Sequence, residues 1–168
     1  MRERILVDRS LAPAAVSPRV LADLHEHARE THPEECCGLV LGGAGGKLER
    51  VVRCRNEMTR LHQQDPAQYP RDGREGFHMN EADVLQAQKF ADAEGLDVTG
   101  VYHSHAEAGP YFSTLDQEFA AQPGFPFPAA LHLVVSVLEG RVTEAAAFAR
   151  DSSDAGFSGR LLEVEAPE

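Results

Sequence analysis

The sequence predicts a single domain of the α/β (α+β) class, a central mixed β-sheet flanked by helices, and three observations predict it. Short β-rich runs alternate along the chain with segments of helical periodicity. The 168 residues lie within the usual size of one domain and suffice to bury a core. No internal repeat divides them, and 42% hydrophobic with 26% charged residues is the composition of a globular chain. The domain is expected to occupy residues 1–150, with 151–168 as a polar, frayed tail.

The elements follow in order. Ser17-Pro18 supplies an N-cap with proline at the first helical position, Leu21, Leu24 and Ala28 recur at helical spacing, and His32-Pro33 stops the helix. Cys36 to Leu41 is an apolar run of strand length, and Leu48 to Cys54 is a second, so the glycines at 42–46 read as a hairpin turn. A phosphate loop is excluded there: its first glycine would fall at Leu41, and no Ser or Thr follows Lys47. Glu57 to Gly76 is polar, carries Pro66 and Pro70, and is expected to be a long surface loop. Asn80 with Asp83 marks a helix start, Val84, Ala87, Phe90 and Ala91 form its apolar stripe, and Gly95 ends it. Asp97 to Tyr102 is a strand that leads into His103. Ser113-Thr114 caps a helix running to Ala121, and Pro123, Pro126 and Pro128 forbid regular structure beyond it. His132 to Leu138 and Arg141 to Ala149 are strands joined by the turn Glu139-Gly140.

The formal net charge of −11, from 27 acidic against 16 basic residues, disfavours nucleic acid and anionic membranes as partners, since no basic cluster offsets it. No apolar stretch approaches the roughly 20 residues that span a bilayer, and Met1 to Arg9 has no long apolar core of a secretory leader. Cys36, Cys37 and Cys54 are odd in number and two are adjacent, which fits a reducing cytoplasm better than a disulfide framework.

One constellation carries chemistry. His103 and His105 are two apart on a predicted strand, so both imidazoles point to the same face and can reach one point. Asp116 opens the following helix, where the dipole favours a carboxylate that can swing back to that point. Two imidazoles and a carboxylate suit Zn²⁺, and three protein ligands leave a fourth position for water, the arrangement of a catalytic site. A His-x-His pair alone is common and equally consistent with packed or surface histidines. His25 and His27 share the spacing, but on a helix they diverge; His32, His62, His78 and His132 stand alone and read as surface or packed side chains. A zinc deaminase would require a Pro-Cys-x-x-Cys segment, which the chain lacks.

Glu35-Cys36-Cys37-Gly38-Leu39-Val40-Leu41-Gly42, then Gly100-Val101-Tyr102-His103-Ser104-His105, then Ser113-Thr114-Leu115-Asp116 together resemble the JAMM (MPN-plus, Mov34/JAB) zinc metalloprotease family. The compact prokaryotic members, similar to sulfur-carrier-protein hydrolases, are the nearest in type. The resemblance implies a cytidine-deaminase-like architecture and one Zn²⁺ per chain held by His103, His105 and Asp116. It implies that Glu35 takes a proton from the zinc-bound water and returns one to the leaving amine, and that Ser113 hydrogen-bonds the oxyanion. It further implies cleavage of an amide bond at the C-terminal Gly-Gly of a small ubiquitin-like or sulfur-carrier protein; a non-catalytic MPN scaffold is the alternative. Ser113 can also be a plain helix cap, and Cys37, expected on the face of Glu35, can be packing or a thiolate ligand. Many relatives have proline after the second His and before the Ser. Here Ala106 and Phe112 stand there, so the connecting loop is expected to be less rigid and Phe112 to add an apolar wall to the substrate site.

Overall fold

The computed structural model describes residues 3–151 and 156–166. Its strands and helices run β1 Ala14–Val16, α1 Pro18–Thr31, β2 Cys37–Gly42, β3 Arg50–Cys54, α2 Met58–Gln64, α3 Glu81–Glu94, β4 Asp97–Ala106, α4 Thr114–Ala121, β5 Leu131–Leu138, β6 Arg141–Arg150 and β7 Phe157–Val164. One sheet takes the order β1-β7-β6-β5-β4-β2-β3. The pairs β4–β5 and β1–β7 are parallel and the other neighbours antiparallel, so the sheet is mixed, as its sequence pattern predicts.

Local chemistry sets the helix ends. Ser17 accepts a hydrogen bond from the Val20 amide, Asn80 accepts one from Asp83, and Gly95 closes α3 in the left-handed region at φ 66°. Helices cover both faces. On one, Val20, Leu24 and Ala28 of α1 pack against Tyr102, Leu133, Val135 and Ala147. On the other, Ala87 of α3 meets Leu39 and Val101, while Phe112 and Ala120 beside and within α4 join Val134, Ala146 and Phe148. Because strand side chains alternate, Val101, His103 and His105 share this second face, and it is here that the sheet presents its polar group.

Gly38 shows why β2 carries a glycine three residues after Glu35. A Cβ there would sit 2.6 Å from the Tyr102 ring, so only a residue without one lets β2, β3 and β4 close up.

Two expectations differ. Met58–Gln64 within the expected surface loop is a short helix with no buried residue, which leaves no apolar periodicity to read. Phe157–Val164 form β7 in place of the expected frayed tail, because the polar run at 151–154 hides the apolar Phe157, Leu161 and Leu162 that follow; the rest of that expectation, at 152–155 and 167–168, lies outside the described residues. Phe157 is buried against Phe112 at 4.9 Å and His132 at 5.7 Å between ring centroids. Phe157→Ala should therefore cost about 3–5 kcal/mol of stability in denaturant titration; a loss within 0.5 kcal/mol would mean this segment does not pack as a strand.

Candidate metal centre

β4 runs on through His103 and His105, which are 3% and 6% exposed, and the alternation of the strand turns both imidazoles to one side. Their Nε2 atoms lie 3.2 Å apart. Asp116, in the first turn of α4, brings Oδ1 to 3.2 Å from His103 Nε2 and Oδ2 to 3.4 Å from His105 Nε2. Bonds of about 2.0–2.1 Å to a tetrahedral zinc imply ligand-to-ligand edges of roughly 3.3–3.4 Å. The three donors thus already stand at the spacing of such a face, and the residues fit the metal.

Two of the three donors, His105 and Asp116, are aimed by hydrogen bonds to a partner outside the cluster. The Nδ1–H of His105 donates to the Gly109 carbonyl at 2.9 Å, which leaves the Nε2 lone pair facing the other two groups. Asp116 is the N3 residue of a capping box: its amide donates to Ser113 Oγ at 3.0 Å, and its Oδ2 accepts from the Ser113 amide at 2.9 Å. Phe77 stacks on His103 at 4.6 Å and Tyr111 tilts against His105 at 4.7 Å, walling the imidazoles with aromatic faces. Burial works against ionisation of Asp116, but attraction to His103 and hydrogen bonds with both imidazoles outweigh it and hold the carboxyl well below its usual range. For His105 burial opposes protonation, yet the hydrogen bond and charge of Asp116, with Glu35 behind them, raise its pKa.

Glu35 lies just before β2 and is 7% exposed. Its amide donates to the Gly73 carbonyl at 2.6 Å and its carbonyl accepts from Asn56 Nδ2 at 2.9 Å, so its backbone is fixed from both sides. Burial pushes its carboxyl up to about 8, partly opposed by the positive charge of His105 and of Arg71 and reinforced by Asp116. A cavity of about 520 Å³ is lined by Glu35, His105, Ser113 and Asp116 together. Four of the five residues singled out in the sequence line this cavity, and the fifth, His103, lies behind Phe77 in contact with His105 and Asp116.

The cysteines take no part. Cys37 pairs in register with His103, but its thiol donates to the carbonyls of Cys54 at 3.7 Å and Arg55 at 3.8 Å, and burial drives its pKa far upward. Packing is its role. Ser113 is both a helix cap and a lining residue of the cavity.

Phe112 corrects the expectation of a substrate wall. It is 1% exposed and stacks on Phe148 at 5.0 Å within the core; Tyr111 lines the cavity in its place. Its amide donates to the Ile5 carbonyl at 2.9 Å, a bond a proline could not make. Nor is the loop loose. Glu107 accepts from the Glu139 amide at 3.0 Å and pairs with His32 Nε2 at 2.9 Å, and Ser136 Oγ donates to the Ala108 carbonyl at 2.5 Å. Hydrogen bonds supply here the rigidity that proline supplies through its ring. Sequence reading missed Arg71, Arg74, Phe77 and Tyr111 on the cavity wall, although Asp72-Gly73 is a turn signal that marks where the loop folds back.

A family model described as prokaryotic homologs of the JAB domain matches residues 17–150. The chain is 29% identical over 124 residues to Desampylase of Haloferax volcanii, covering 74% of this chain and 77% of that protein. The solution structure of a Desulfitobacterium hafniense protein superposes with a TM-score of 0.64 at 22% identity, covering 92% of this chain and 94% of that one. A Salinibacter ruber protein gives 0.57 at 27% identity, with 92% and 93% covered.

The donor geometry predicts about one zinc per chain by elemental analysis, lost in His103→Ala. Zinc must displace the proton that the raised pKa of His105 retains, so affinity measured by calorimetry should fall as pH drops through that range, by about tenfold per unit for each proton displaced. An affinity independent of pH between 5 and 8 would rule these imidazoles out as the ligands.

Proposed function

The chain belongs to the family of prokaryotic homologs of the JAB domain, and from that membership we propose that it is a zinc-dependent peptidase or isopeptidase. Its substrate is an amide bond at the C-terminal Gly-Gly of a small ubiquitin-like or sulfur-carrier protein. The observation that carries this reading is one cavity lined by Glu35, Ser113 and two of three clustered metal-type donors, His105 and Asp116, with the third, His103, directly beside them. The similarity to Desampylase, which bears the name of an enzyme, supports hydrolytic chemistry over a purely structural role.

His103, His105 and Asp116 would hold the ion. When bound, zinc supplies Lewis acidity, which brings the ionisation of water close to neutral pH. The chain's own side chains do the rest. Glu35, buried and charged only at a cost, is a good proton carrier: it accepts a proton from the attacking water and delivers one to the departing amine nitrogen. The Ser113 hydroxyl, whose oxygen already accepts from the Asp116 amide, keeps its own hydrogen to donate to the oxygen that becomes negative on the substrate. Phe77 and Tyr111 keep bulk water from the imidazoles.

Three unpaired, buried cysteines support the reducing, cytoplasmic setting proposed for it.

Glu35→Gln should keep its zinc and lose about 10²–10⁴-fold in kcat, read by mass on a small Gly-Gly-ending protein carrying a C-terminal extension. If the zinc-loaded wild-type protein leaves every such extension intact while still binding the carrier, the scaffold reading replaces this one.

A further inference from the structure

The loop between α2 and α3 puts two arginines on the rim of the cavity, Arg71 and Arg74. It is a built turn. The Arg74 amide donates to Asp72 Oδ1 at 2.9 Å, the Glu75 amide to the Asp72 carbonyl at 3.2 Å, and the Gly73 amide to Thr59 Oγ1 at 2.9 Å. Gly73 is buried at its centre, where a Cβ would come within 2.8 Å of both Glu34 Oε1 and Thr59 Oγ1. The Gly73 carbonyl, in turn, is the acceptor of the Glu35 amide. The turn is therefore locked to the backbone of the very residue that carries the proton, and the arginines on either side of Gly73 are held at a fixed place relative to it.

Their charge is not spent within the fold. Arg9, Arg53, Arg55 and Arg60 each meet a carboxylate within 3.0 Å. Among the described residues, neither Arg71 nor Arg74 forms an ion pair, and both side chains are exposed. Three carboxylates line the same cavity, Glu35 and Asp116 buried within it and Glu75 exposed beside the two guanidiniums. In a chain of net charge −11, these two exposed guanidiniums are the groups of the cavity that can attract an anionic group on a substrate. Guanidinium groups match carboxylates by paired, charge-assisted hydrogen bonds.

We infer that Arg71 and Arg74 determine specificity by recognising a carboxylate on the leaving side of the scissile amide. The inference rests on the hydrolase reading above. Glu35 serves the departing nitrogen, and Arg71 lines the same cavity on the turn whose Gly73 carbonyl holds the Glu35 amide. In a leaving group that is a single C-terminal residue, the carboxylate carbon is only about 2.5 Å from that nitrogen. An acidic side chain on the leaving residue offers the same chemistry from slightly farther out. Substrates of this class carry Gly-Gly followed by a free carboxylate or an acidic residue, in contrast to a Gly-Gly joined to a neutral or basic leaving group.

The test reads binding without turnover. Zinc-loaded E35Q is titrated with Leu-Gly-Gly-Ala bearing a free C-terminal carboxylate, with its carboxamide, and with the carboxamide of Leu-Gly-Gly-Asp; the same is done with E35Q/R71Q/R74Q. The carboxylate peptide should bind E35Q at least tenfold more tightly than its carboxamide, and the preference should fall to within twofold once both arginines are gone. A gain for the Asp carboxamide alone makes a side-chain carboxylate the recognised group and supports the assignment equally. Equal binding of all three peptides overturns it, as does a preference that survives R71Q/R74Q, which would mean that the metal centre itself takes the carboxylate. A protein that discriminates in this way yet cleaves nothing fails as a hydrolase while keeping the arginine assignment, so the two readings are separable. R71E/R74E guards against a loss caused by unfolding: with its melting temperature retained, it should reverse the preference toward the carboxamide.

Discussion

The reciprocal hydrogen bonds between Ser113 and Asp116 are the constraint on which the rest of the site depends. A strand can present two imidazoles to one point by its own periodicity, but a third donor has to come from elsewhere in the chain and arrive with a defined direction. The capping box fixes one oxygen of Asp116 on the Ser113 amide and so fixes the carboxylate as a whole against His103 and His105. The same bonds start α4, whose burial of Ala120 against Val134 and Phe148 anchors the segment to the sheet. Helix initiation and placement of the third donor are one event here. Removing the serine oxygen would disturb both, since an orphaned amide at a helix start is costly in itself.

Much of this was legible in the sequence because the signals are local. Ser17-Pro18, Asn80 with Asp83, and Gly95 act within a turn or two of themselves, and the helices they bound lie where the spacing puts them. The His-x-His pair depends only on strand alternation. What could not be read depends on contacts distant in sequence. β1 is three residues long and exists because it pairs with β7 from the far end of the chain. β7 was hidden behind a polar run, and α2 buries nothing that would give it a pattern. At the site, Glu35 was legible only through the resemblance to a known family, whereas Phe77, Tyr111 and the arginines reach the cavity only through the folding of loops whose sequences announce turns but not destinations.

Phe112 illustrates the limit most clearly. From the sequence it reads as a residue placed where proline is common, and the natural expectation is a change at the substrate. The structure gives it a partner for its amide and a core for its ring. The position matters for what the backbone can donate, and the side chain follows the sheet inward. The burden of holding the loop passes to Glu107 and Ser136, both of which act through carbonyls and amides contributed by other elements.

That amide also joins parts of the chain far apart in sequence. Ile5 makes two hydrogen bonds with Phe112, and the ring of Phe112 is enclosed by Phe148 of β6 and Phe157 of β7. Ser113, adjacent to it, therefore starts from a backbone held by Ile5 on one side and by β6 and β7 on the other. Asp116 is thus referred to the sheet twice, directly through His103 and His105 of β4 and indirectly through the neighbour of its cap, so a cavity opened at Phe148 or Phe157 would be felt at the carboxylate.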